Sequence, residues 1–187
     1  MKKLLLFICL LPVCSFAYEL DGAFGVKFNS KQNIVNGKYK DVSFTPDSGY
    51  EFLMFDNYSY SLTPKTGKVY SISATGGILN NCNKDLGVIN KIIQDKYEVK
   101  SLKREVPIKY VVDNKNLNDS IVTYSFKVDK NRILLSCDPE YNKIFITYID
   151  IDAVRLSYEE NNKILNKEIS KEIKKMKKDK VYQVKGL

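Results

Sequence analysis

Residues 58–74 read Tyr58-Ser59-Tyr60-Ser61-Leu62-Thr63-Pro64-Lys65-Thr66-Gly67-Lys68-Val69-Tyr70-Ser71-Ile72-Ser73-Ala74. Tyr58, Tyr60 and Leu62 alternate with serines. After Pro64–Gly67, Tyr70, Ile72 and Ala74 alternate with Ser71 and Ser73. A period of two places one set of side chains on a core and the other in water, as in an antiparallel pair with one buried face. Proline presets φ near about −65° and glycine accepts positive φ, so the four residues between the runs form the turn. This segment predicts a β-hairpin and decides the fold class.

The same reading extends in both directions. Upstream, Phe24, Val26 and Phe28 predict one short strand over Gly22–Phe28, and Tyr39–Phe44 a weaker one. Downstream, Gly76-Gly77 ends the hairpin and Asn80 or Asn81 caps a helix over 81–97, with Cys82, Leu86, Ile89 and Ile93 at helical spacing and Gly87 as its weak point. Residues 98–119 predict a strand at Ile108–Val112 and then an Asn-rich loop. A three-strand meander follows, with Val122–Val128, Ile133–Cys137 and Ile144–Tyr148 separated by Asp129-Lys130-Asn131 and Asp138-Pro139. Asp150 or Asp152 caps a last helix over about 153–178, along which Leu165, Ile169, Ile173 and Met176 form a stripe. The order predicts an α+β two-layer sandwich: an antiparallel sheet packed by helices on one face, with a long C-terminal helix.

Met1-Lys2-Lys3, the apolar run Leu4–Val13 and the small residues Ser15 and Ala17 have the form of a cleavable signal peptide over residues 1–17. That run is too short to span a bilayer, which takes about 20 residues, and no second candidate follows. Cys14 invites a lipoprotein reading, but the bulky Val13 before it argues against acylation. The expected product is one domain over 18–180, including a basic C-terminal helix, and a tail over 181–187. Its expected location is the periplasm. There an oxidising environment makes the two remaining cysteines, Cys82 and Cys137, a disulfide. A redox or metal pair is the alternative, but the close spacing and the histidine partners that it needs are missing.

The chain contains no histidine and no tryptophan, and carries a formal charge of +8. Without histidine, this chain alone builds neither Ser-His-Asp nor Cys-His nucleophile systems, nor His-ligated zinc sites. Carboxylate pairs and all-oxygen metal sites remain open.

Gly22-Ala23-Phe24-Gly25-Val26-Lys27-Phe28, the Tyr58–Ala74 segment, Cys82 and Lys96-Tyr97 resemble a group of small exported proteobacterial proteins. That group has no established activity, so the resemblance implies an exported single domain and transfers no catalytic residue.

Three sets of side chains are candidates for function. Lys174, Lys175, Lys177 and Lys178 form a basic patch suited to an anionic partner; a solvated helix end is the plainer explanation. The rings of Phe52, Phe55, Tyr58, Tyr60 and Tyr70 could line a groove, although core packing accounts for them in a chain without tryptophan. Glu51, Asp56, Asp150 and Asp152 offer acid/base pairs, but caps and turns are the plainer explanation. No catalytic, cofactor or metal-ligating residue is assigned, and no cofactor is implied. The expected function is a non-enzymatic binding or interaction protein of the inhibitor, immunity or envelope-accessory type. Its partner would be another envelope protein or a cell-wall component, and export argues against nucleic acid. The alternative is a His-independent carboxylate hydrolase acting on envelope material.

Overall fold

The computed structural model describes residues 20–32, 41–46, 54–112 and 115–178. The signal segment, the tail, Glu51 and Phe52 lie outside the described residues. Among the described residues, nine strands and two helices follow in the order β1 Gly22–Ala23, β2 Val26–Lys27, β3 Val42–Phe44, β4 Asn57–Leu62, β5 Val69–Gly77, α1 Cys82–Tyr97, β6 Ser101–Val112, β7 Lys115–Val128, β8 Asn131–Asp138, β9 Lys143–Asp150 and α2 Ile151–Lys178. Seven of the strands make one sheet in the order β3-β4-β5-β9-β8-β7-β6, and every pairing is antiparallel. The fold is therefore the expected α+β two-layer class with a long C-terminal helix.

The register explains the alternation in the sequence. Tyr58, Ala74, Ile146, Leu135 and Tyr124 form one row across five strands. The next row is Ser59, Ser73, Thr147, Leu134 and Ser125, on the opposite face. The first face carries the core, with Ile72, Val122, Phe126, Ile133, Cys137 and Ile144 buried, and α1 closes it through Cys82, Leu86, Ile89 and Ile93. On the second face, the Ser73 and Thr147 hydroxyls lie 3.1 Å apart, within hydrogen-bonding distance.

Local chemistry holds α1 in place. The Asn81 carboxamide accepts from the Lys84 amide at 2.9 Å, and Glu98 ends the helix in the left-handed region. The buried Asp85 turns back onto the preceding loop and accepts from the Leu79 and Asn80 amides and from the Asn80 side chain. Gly87 lies on the exposed side with open space where a Cβ would stand. Gly87→Ala is therefore expected to raise stability by about 1 kcal/mol, read from the denaturant midpoint at unchanged slope.

The structure corrects four details. Gly22–Phe28 is not one strand but a miniature hairpin, because Phe24 and Gly25 both take positive φ, 52° and 83°. Such a turn disfavours a side chain at Phe24; the edge-on contacts of its ring with Tyr58, Phe55 and Tyr148 offset that cost. Residues 101–112 and 115–128 pair as two long strands at the edge of the sheet, in place of a short strand and an Asn-rich loop. Leu102 to Pro107 are exposed on both faces, so no alternation marks the strand. A bulge between Ser61 and Leu62 turns Val69 into the core and leaves Tyr70 half-buried. Finally, β5 runs through Gly76-Gly77. A Cβ on Gly76 would meet the Met54 carbonyl at 1.7 Å, so glycine lets the chain cross there.

Candidate functional site

The last helix has an unusual orientation. Asp150, buried at the end of β9, caps it by accepting from the Ala153 amide at 2.9 Å and also accepts from the Asn29 carboxamide at 2.7 Å. Across the strands from Asp150, the buried Asn131 donates to the Leu20 carbonyl and ties the N-terminal end of the described chain to this corner. The helix then packs beside β5 and β9, with Ala153, Ser157 and Glu160 buried.

Glu160 fastens the helix to the turn of the first hairpin. One carboxylate oxygen accepts from the Lys65 amide at 2.6 Å and the Thr66 amide at 3.1 Å, and the other from the Thr66 hydroxyl at 2.7 Å. Burial raises the Glu160 pKa. The Thr66 hydroxyl, the two amides and the Lys65 charge outweigh it, so the carboxyl titrates below its ordinary range. Thr63, fully buried, accepts from the Lys68 amide and braces the same turn, which Gly67 closes at a φ of 65°.

This latch sets the rotation of the whole helix. At about 100° per residue, Ala153, Ser157, Glu160 and Ile164 share one side. Tyr158, Leu165, Ile169, Ile173 and Met176 fall roughly 110–190° away on the other side. Tyr158 is 68% exposed, Leu165 54%, Ile169 46% and Ile173 43%. The docked side continues downstream as Lys167, Lys171, Lys174 and Lys175, all exposed. A surface helix ordinarily turns its apolar stripe inward and its charges outward; here the stripe faces away from the sheet. From Ile164 to Lys178 the helix extends about 21 Å at 1.5 Å per residue.

The sequence candidates therefore scatter. Lys174 and Lys175 sit on the projecting half of α2, and Lys177 and Lys178 fall at its end. Phe55 and Tyr58 are buried in the core, while Tyr60 and Tyr70 are half-buried. Asp150 is the helix cap, Asp152 is exposed in the first helical turn, and Asp56 is exposed and accepts from the Asn57 side chain. Cys82 and Cys137 meet as expected, bonded with their Cα atoms 5.5 Å apart. Sequence reasoning missed Glu160, whose neighbours carry no motif, and the outward direction of the stripe. The one available signal was that Ser157 and Glu160 occupy the helical side where a packed helix carries apolar residues.

Among the described residues, no cluster of three or more His, Cys, Asp or Glu side chains is placed to hold a metal ion. No helix there is long and apolar enough to cross a membrane. Comparison with protein-family models, curated proteins and solved structures finds no match to this chain.

Proposed function

We propose that this is an exported, non-enzymatic interaction protein of the cell envelope, and that it binds through the projecting half of α2. The observation that carries the reading is the exposed row Leu165, Ile169 and Ile173, turned outward by the Glu160 latch. Exposed apolar rows at i, i+4 and i+8 are the contact pattern of helices that dock on a partner surface. The disulfide is compatible with an oxidising compartment and supports export, as does the form of residues 1–17. The sheet, the bridge and the capped α1 act in this reading as a rigid base that presents the helix.

The test compares mature protein starting at Tyr18 with a variant carrying Leu165→Asp, Ile169→Asp and Ile173→Asp, each mixed with isolated envelope fraction. Retention is expected to fall at least about tenfold in the variant, the equivalent of about 1.4 kcal/mol. Thermal unfolding should stay within about 0.5 kcal/mol of the parent, because the replaced side chains are exposed. Equal retention of the two proteins would refute the reading.

A further inference from the structure

We infer that the surface met by α2 is an anionic phospholipid headgroup layer, on which the helix lies flat; this rests on the proposal that α2 is the binding element. Two independent features converge on it. The first is direction: the latch leaves Tyr158, Leu165, Ile169 and Ile173 facing away from the sheet, free to enter an interface without any rearrangement of the domain. The second is charge. Residues 162–178 hold seven lysines against two glutamates, an excess of five positive charges, and Lys163, Lys167, Lys171, Lys174 and Lys175 are exposed.

An amphipathic helix with a basic polar side is the element that binds membrane surfaces in the interfacial plane. The lysine row lies on the far side of the stripe, but a helix is only about 10 Å across. Its charges therefore stay within about one Debye length, 8–10 Å, of the headgroups. Lysine stems also reach along the helix flanks toward phosphate. Tyr158, an amphipathic ring at the domain end of the stripe, is a side chain suited to the boundary between headgroups and acyl chains. The same excess of charge argues against a second copy as occupant, because pairing two such segments brings like charges together.

The inference concerns a peripheral contact and no span. The helix keeps its backbone hydrogen bonds, and only one stripe is apolar. Affinity then depends on both halves of the device, with each lysine near an anionic surface contributing about fivefold.

The experiment is co-sedimentation of the disulfide-bonded protein, from Tyr18 onward, with phosphatidylethanolamine vesicles made with and without phosphatidylglycerol. The bound fraction is expected to rise at least about tenfold when phosphatidylglycerol is present and to fall back in high salt. Ile169→Gln with Ile173→Gln, which leaves the charge unchanged, should lower binding to the anionic vesicles at least about tenfold. Lys171→Glu, Lys174→Glu and Lys175→Glu together should remove the preference for phosphatidylglycerol. Equal binding to both vesicles overturns the inference, as does charge dependence without stripe dependence, which marks diffuse attraction. Absence of vesicle binding, with stripe-dependent retention on the envelope fraction, overturns the lipid surface but leaves the interaction reading in place. Loss of stripe dependence in both assays overturns both.

Discussion

Replacing Cys82 with Ser or Cys137 with Ala is expected to lower stability by about 4 kcal/mol, the largest effect of any single change proposed for this protein. The bridge joins residues 55 apart in sequence and ties the first turn of α1 to the core face of β8. In the chain-entropy account, a cross-link over that separation removes about 4 kcal/mol of freedom from the unfolded chain. Both sulfurs lie in the core cluster, so reduction also leaves two thiols that must repack within it. The two single variants and the double variant should destabilise by similar amounts, because each removes the same bond. Denaturant unfolding of the four proteins checks this, together with thiol titration of the oxidised parent, which is expected to show no free thiol.

The second large effect is expected at Glu160. Glu160→Ala leaves the Lys65 amide, the Thr66 amide and the Thr66 hydroxyl without their acceptor, at a cost of about 2–3 kcal/mol. It also frees the rotation of α2, so the amides at Lys65 and Thr66 should exchange faster while the core strands keep their protection. The pH dependence has a definite sign. A carboxyl whose folded pKa is depressed contributes fully above its unfolded value, and the contribution is lost as the pH falls through the folded value. Glu160 and Asp85 both fall in this class. For Asp85, burial raises the pKa, and the hydrogen bonds from Asn80 and Leu79 lower it by more. Stability should therefore stay nearly flat between about pH 5.5 and 7.5, where a chain without histidine has few ordinary groups to titrate, and should fall below about pH 4.5. Glu160→Gln removes its share of that acid loss; an unchanged acid profile in the variant would contradict the latch.

How much could be read from the sequence depended on where water lies. The first hairpin and the meander from β7 to β9 were readable because one face is apolar and the other carries hydroxyls, which gives a strict period of two. Helix α1 was readable at both levels, from its Asn81 cap and from the spacing of Leu86, Ile89 and Ile93. Most of β6 and the first half of β7 were not, because β6 side chains such as Leu102, Arg104 and Val106 all meet solvent and nothing selects a period. The β1–β2 turn was hidden because Phe24 takes a backbone conformation that its residue type disfavours and is held there by distant rings. For α2 the stripe itself was visible, but its direction was not. A helix docked through Ser157 and Glu160 has its packed side written in polar residues, and the partner of Glu160 is a turn 94 residues away in sequence. The basic residues Lys174 and Lys175 gained meaning only once that rotation was known.

The most direct measurement of the central claim is hydrogen exchange along α2 with and without envelope fraction. In the free protein, residues 165–175 are exposed and should exchange faster than α1, whose Leu86, Ile89 and Ile93 are buried in the core. On binding, protection is expected to increase across residues 161–176 and nowhere in β4 to β9. Protection that appears instead on the hydroxyl-lined strands, or an α2 that exchanges equally fast in both conditions, would contradict the account.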